Sequence, residues 1–199
     1  LRVIDTELRL QGGIVEIASV DIVDGQITNP MSHLVRPDPP ISPQAMAIHR
    51  ITEEMVADKP WIEEIIPHIM QPVDVAHNAS FDRRVLPEMH GEWICTMKLA
   101  RRLWPGIKYS NMGLYKSRKL NVTTPPGLHH HRALYDCYIT AALLLDIINV
   151  SGWTLTKWPN HRSAGAASID VQLRTSEHRS MYSYVRLSID RCTLRTLTS

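Results

Sequence analysis

Four carboxylates and a histidine in this chain are of the types that metal-assisted hydrolysis uses. Asp5 and Glu7 stand two residues apart in LRVIDTE, at the end of a short apolar run. On a strand both side chains leave the same face. Two like charges that close destabilise each other unless a cation sits between them. The alternative is that Glu7 turns into solvent where the strand ends. Asp82, in HNASFDRR, follows the apolar VDVA and opens a helix. An aspartate there also complements the helix dipole, but Phe81, the only phenylalanine, should anchor the turn and fix its direction. Asp136 lies among Leu134, Cys137, Ile139 and Ala141, in a helix expected to bury most of its surface. A bare carboxylate is costly to bury unless something pairs with it. A divalent cation would do so, and hard oxygen ligands favour Mg²⁺ or Mn²⁺.

The stretch GLHHHRALYD, residues 127 to 136, adds three histidines. His131 precedes Asp136 by five positions, about 500° of helical rotation, so the two cannot share a face of one helix. His131 therefore fits the loop before the helix. An imidazole titrating near neutrality suits a general base that deprotonates water. A zinc site built from three histidines is the rival reading, although adjacent histidines seldom converge on one ion.

The elements that must position these groups follow from pattern. LRVID, IVEIASVDIV and residues 26 to 35 read as three strands, with Gly12 and Gly13 turning between the first two. Short helices are expected at TEEMVAD, capped by Thr52, and at PWIEEIIPHIM, which a proline interrupts. VDVAHN and EWICTM read as strands, each followed by a helix, and NMGLYKSRKL as a further helix. RALYDCYITAALLLDIIN has apolar residues at helical spacing, with Gly152 just beyond its end. Three strands followed by alternating helices and strands indicate an α/β fold, a mixed sheet with helices on its faces.

With 199 residues, the chain fits one α/β domain, placed at residues 1 to 152, and an appendage. Residues 153 to 199 hold 13 Ser or Thr and seven Lys or Arg against three acids, with no sustained period, and are expected to be poorly ordered. No apolar run is read as a membrane span, and the beginning has no signal-peptide core. Three scattered cysteines suggest reduced thiols in the cytoplasm. The net charge of +2 implies no partner, but between Glu92 and Asp136 there is no acid and eight Lys or Arg. That one-sign stretch is either a solvated face or a footprint for phosphates.

VIDTE, HNASFD and HHRALYD resemble, in order, the three motifs of the DEDD exonucleases, in the branch whose third motif reads H-x-A-x-x-D. IHRIT at 48 to 52 is similar to that branch's I-H-G-I-T, with Arg50 in place of glycine, and LRLQGG is shorter than the usual stretch after the first motif. The resemblance spans roughly residues 1 to 150 and implies a ribonuclease H-like fold. It implies two-metal phosphodiester hydrolysis: Asp5, Glu7, Asp82 and Asp136 hold two Mg²⁺ ions (Mn²⁺ substituting), and His131, rather than His129 or His130, is the base. The expected function is a 3′–5′ exodeoxyribonuclease that releases nucleoside 5′-monophosphates from DNA 3′ ends in repair. The alternatives are an exoribonuclease of the ribonuclease T or oligoribonuclease kind and a non-catalytic nucleic-acid-binding or proofreading accessory subunit. A homodimer is compatible with this family. Leu10 and Gln11, in the turn after the first motif, are expected to stack on a terminal base or wedge a duplex end; each also suits an ordinary hairpin tip. His49 and Asn78 are candidate substrate contacts, and Arg101, Arg102 and Lys108 candidate phosphate contacts.

Overall fold

The computed structural model describes residues 1–8, 13–38, 40–86, 92–155, 169–173, 184–187 and 195–196. Three strands open the chain: β1 (Arg2–Leu8), β2 (Ile14–Val23) and β3 (Gln26–Leu34). Helices α1 (Pro43–His49), α2 (Glu53–Val56) and α3 (Ile62–Ile69) follow. Then come β4 (Val73–Ala76), α4 (Ser80–Val85), β5 (Glu92–Cys95), α5 (Thr96–Leu103), α6 (Asn111–Ser117) and α7 (Ala133–Ser151). The strands form one mixed sheet in the order β3-β2-β1-β4-β5. β1 pairs antiparallel with β2 and β2 with β3, while β4 runs parallel to both β1 and β5. The α/β expectation holds, and the strands lie where the apolar runs placed them.

Helix α1 was not anticipated. Its signal is local: the Ser42 hydroxyl accepts from the Ala45 amide at 3.2 Å and Pro43 occupies the first turn, the arrangement that starts helices most readily. Thr52 stands at the N-cap of α2 as expected, but its side chain makes no capping hydrogen bond.

Apolar side chains cover the sheet on both sides. Ile4, Ile17, Ile65, Ile66, Ile69, Leu86 and Trp93 belong to one buried cluster, and Val15, Ile41, Ala45, Ile51 and Val56 to another. The thiol of Cys137 in α7 points at the carbonyls of Val3 (3.8 Å) and Ala18 (3.3 Å), so this helix crosses β1 and β2 directly. α7 is, against expectation, long and apolar enough to span a membrane by length and composition. Ala133, Cys137, Ile139, Ala141, Leu143 and Leu144 are all buried, which is the pattern of a core helix.

One buried charge has no such account. Asp74 in β4 is 0 % exposed and neither carboxylate oxygen accepts a hydrogen bond of ordinary geometry. Burial pushes it up to about 7, and the Gln71 amide and Arg2 guanidinium offset this only in part. Arg2 itself is committed to Asp21 at 2.9 Å and to the Ile69 carbonyl at 2.8 Å.

The chain divides into two units, Leu1–Leu144 and Leu145–Ser199. The second contains the end of α7 and four strands, β6 (Trp153–Leu155), β7 (Ile169–Leu173), β8 (Tyr184–Leu187) and β9 (Arg195–Thr196), joined antiparallel in that order. The other residues of the expected poorly ordered tail lie outside the described residues.

Candidate active site

The first acidic pair is placed by strand geometry. Asp5 and Glu7 leave the same face of β1, as the alternation requires. Asp136 enters from the first turn of α7, and carboxylate oxygens of Asp5, Glu7 and Asp136 all lie within 4.8 Å of one another. Asp82 arrives from α4, just beyond the end of the parallel strand β4. It is 2 % exposed and accepts a hydrogen bond from the Thr6 hydroxyl at 2.9 Å. Thr6 lies between Asp5 and Glu7, so the first and second motifs are tied together by a side chain of the first.

The electrostatics show how poorly this cluster is compensated by the protein alone. Burial pushes the Asp5 carboxyl well up, and the charges of Asp82, Asp136 and Glu7 push it further. Burial also raises Glu7 to about 8, assisted by Asp136 and Glu16 and opposed by Arg132. Asp82 is raised to about 7 by burial in spite of the Thr6 hydrogen bond. Carboxylates crowded and desolvated in this way bind protons unless a cation replaces them. Their oxygens are the hard donors a divalent ion takes, so the residues present fit such an ion.

The histidine run forms the turn before α7. His131 has φ of +68°, a left-handed conformation that costs a side-chain-bearing residue on the order of 1 kcal/mol or more and tends to occur at functional sites. Its backbone amide donates to Asp136 Oδ2 at 3.1 Å. Burial and the neighbouring His130 hold its imidazole below the ordinary value, against the pull of Asp136. His130, which the resemblance does not make the base, donates from Nδ1 to Asp136 Oδ1 at 2.9 Å and stacks on His131 with ring centroids 3.8 Å apart. His130, His131 and Asp136 also bring potential ligand atoms within 4.8 Å of one another. His129 instead bonds the His130 carbonyl at 2.8 Å.

Sequence reasoning missed Glu16 and Arg132. Glu16, in β2, is 0 % exposed and accepts from Arg132 Nε (2.9 Å), Arg132 Nη2 (2.7 Å), the Ala133 amide (2.9 Å) and the Ser32 hydroxyl (2.9 Å). Burial alone would raise Glu16, but Arg132 and the Ala133 amide, with Ser32, hold it below the ordinary carboxylate value. The available signal was one acid inside the apolar run IVEIASV, a position that demands a partner.

The expected substrate contacts are distributed unevenly. Asn78, with φ of +63°, lines a cleft of about 580 Å³ together with His77, Arg101, Lys108 and Tyr109. His77 is fixed there between the Thr96 hydroxyl (2.9 Å) and the Tyr109 carbonyl (2.7 Å), and Arg101 lies over the Tyr109 ring. Arg102 is exposed on α5 and does not line this cleft. His49 is 1 % exposed; its Nδ1 accepts from the Ile51 amide at 3.0 Å, and its Nε2 has no partner. Leu10 and Gln11 lie outside the described residues. Arg50 caps α1 with φ of +61° and is exposed, so the glycine of the similar I-H-G-I-T segment reads as a left-handed helix end.

Residues 3–144 match the profile of the exonuclease (RNase T) family. The chain belongs to this exonuclease family. It is 83% identical over 156 residues to Exodeoxyribonuclease 10 of Escherichia coli K12, which covers 77% of this chain and 71% of that protein. Among solved structures, this exonuclease resembles exonuclease X in complex with 5′ overhanging duplex DNA, with a TM-score of 0.75 at 83% identity over 77% of this chain and 93% of the other. The nuclease domain of 3′hExo, a DEDDh family member bound to rAMP, shares the fold with a TM-score of 0.63 at 13% identity, over 75% of this chain and 91% of that one. The expected ribonuclease H-like architecture is thereby established for the exonuclease unit.

Proposed function

We propose that the chain is a divalent-metal-dependent 3′–5′ exodeoxyribonuclease that releases nucleoside 5′-monophosphates. The observation that carries this reading is the convergence of Asp5, Glu7 and Asp136 within 4.8 Å, beside an Asp82 anchored to the same strand through Thr6. These four carboxylates would hold two Mg²⁺ ions, with Mn²⁺ as a substitute. Bound there, the ions would make water acidic and neutralise charge developing on the phosphate and the leaving oxygen. His131, whose imidazole burial and His130 hold below its ordinary value, takes the proton of the attacking water on a ring nitrogen. The new P–O bond forms as the P–O3′ bond breaks, and the 3′-oxygen leaves with a proton from solvent. The basic cleft at Asn78, Arg101 and Lys108 suits the phosphates of the approaching strand.

DNA is preferred over RNA as substrate on the strength of the likeness to Exodeoxyribonuclease 10 and to a structure containing duplex DNA. The filled motifs argue for an active enzyme rather than an accessory subunit. Trimming of DNA 3′ ends in repair, in the cytoplasm, is the setting this activity suits. The test is digestion of 3′-labelled single- and double-stranded DNA, alongside matching RNA, in Mg²⁺ or EDTA. Mononucleotide release from DNA in Mg²⁺ alone is expected, with Asp136→Asn inactive. Undiminished digestion in EDTA, or by Asp136→Asn, would sink the reading.

A further inference from the structure

We infer that Glu16 is a positioning residue for the hydrolytic reaction, gripping Arg132 and the first amide of α7 so that His131 is held at a fixed place beside the metal-binding carboxylates. This rests on the proposed exonuclease reading with His131 as the base.

Glu16 is the fifth carboxylate of the site and the one with nothing left to offer a cation. Oε1 accepts from Ser32 and Arg132 Nη2, and Oε2 accepts from Arg132 Nε and the Ala133 amide. Each oxygen thus has two donors, which fills the lone pairs of an ionised carboxylate. A buried acid so completely matched is built to hold the protein, and two of the three residues it holds, Arg132 and Ala133, directly follow His131. The fork of Arg132 is a rigid bidentate partner, while the Ala133 amide is one of the unsatisfied donors at the start of α7.

His131 needs such support. Its φ of +68° is a conformation that an ordinary residue keeps only where the surroundings determine it. The bonds from the His131 amide to Asp136 and from the Arg132 amide to the His129 carbonyl close the turn on itself. They do not fix the turn to the sheet. Glu16 does, and it stands directly opposite Glu7 in the β1–β2 register. One pair of strands therefore locates both the ligand Glu7 and the turn that carries the base. Arg132 also neutralises a negative charge that would otherwise add to the crowding around Glu7.

A double-mutant cycle separates positioning from general structural support. Initial rates on a 3′-labelled single-stranded DNA oligomer in Mg²⁺ are measured for the full chain, Glu16→Gln, His131→Ala and the double variant, with each melting curve recorded. Glu16→Gln, which keeps the shape but offers two of the donors an amide NH₂, is expected to lower kcat by about 10²-fold, within the range a general base contributes. KM for the oligomer should stay within about 2-fold, because binding in the cleft is untouched. In the His131→Ala background the same substitution should cost less than about 3-fold, since the residue it positions is gone. If Glu16→Gln does not fold, Arg132→Lys, which keeps the charge without the fork, goes through the same cycle and should lose about 10-fold in kcat only when His131 is present. An equal loss in both backgrounds, an unchanged kcat, or a rise in KM at unchanged kcat overturns the positioning role while leaving the exonuclease reading intact. Native activity in His131→Ala would instead overturn the base assignment, and the positioning role with it.

Discussion

Asp74→Asn should make this protein more stable at pH 8 and change it little at pH 5. The carboxylate is fully buried with neither oxygen in a hydrogen bond of ordinary geometry, and burial raises it from 3.8 to about 7. A folded-state value above the unfolded one means that the folded chain holds the proton more tightly. Its contribution is therefore fully present below about pH 4 and is lost as pH rises through about 7. At 1.36 kcal/mol per unit, the shift from 3.8 to about 7 makes the native state lose about 2.5 kcal/mol between pH 5 and pH 8 from this group alone. Asparagine has the shape of the protonated acid but does not titrate, so its variant escapes that loss. Urea unfolding of both proteins at the two pH values, at constant ionic strength and in EDTA, gives the comparison. The other acids titrate equally in both proteins and cancel. A stability difference between variant and parent that stays the same at pH 5 and pH 8 would refute the reasoning.

Arg50→Gly relieves a left-handed helix end at φ +61° and should add about 1 kcal/mol, read as a rise of about 2–4 °C in Tm; a lower Tm would show that the Arg50 side chain stabilises more than its backbone costs. With Glu7 at about 8 and Asp82 at about 7 in the metal-free protein, both carry protons near pH 6.5, so Mg²⁺ binding must displace them. Calorimetry in buffers of different ionisation enthalpy should find proton release and an affinity that rises from pH 6 to pH 8; a flat affinity contradicts the folded-state values. Arg101→Ala and Lys108→Ala should each weaken binding of single-stranded DNA and flatten the log–log salt dependence by about 0.7, measured by fluorescence anisotropy; an unchanged slope would remove that residue from the phosphate path.

What could be seen in the sequence was whatever depends on short-range pattern. Period-2 alternation put Asp5 and Glu7 on one face, and the angular argument kept His131 off the helix that begins at Ala133. The apolar runs marked all five strands of the main sheet. Two features stayed hidden for different reasons. α1 depends on Ser42 and Pro43 at a single helix start, without the repeated apolar spacing that marks longer helices. The role of Glu16 depends on Arg132, 116 residues away, and an acid inside an apolar run signals that a partner is needed without saying which residue supplies it. The contact between His130 and Asp136 lay beyond spacing rules, which describe helices and strands, because the ring reaches the carboxylate through a turn with left-handed backbone at His131. Arg50 was recognised as a departure from the I-H-G-I-T segment, but only its φ shows that backbone geometry is what the change affects.

The order in which the ligands occur along the chain has a consequence during synthesis. Asp5 and Glu7 are synthesised before Asp82, and Asp136 with the helix that carries it comes last of the four. Until α7 packs across β1 and β2, the nascent protein lacks Asp136, one of the four carboxylates, and has no fixed base. On the proposed mechanism, a chain that stops short of α7 is expected to cleave no nucleic acid.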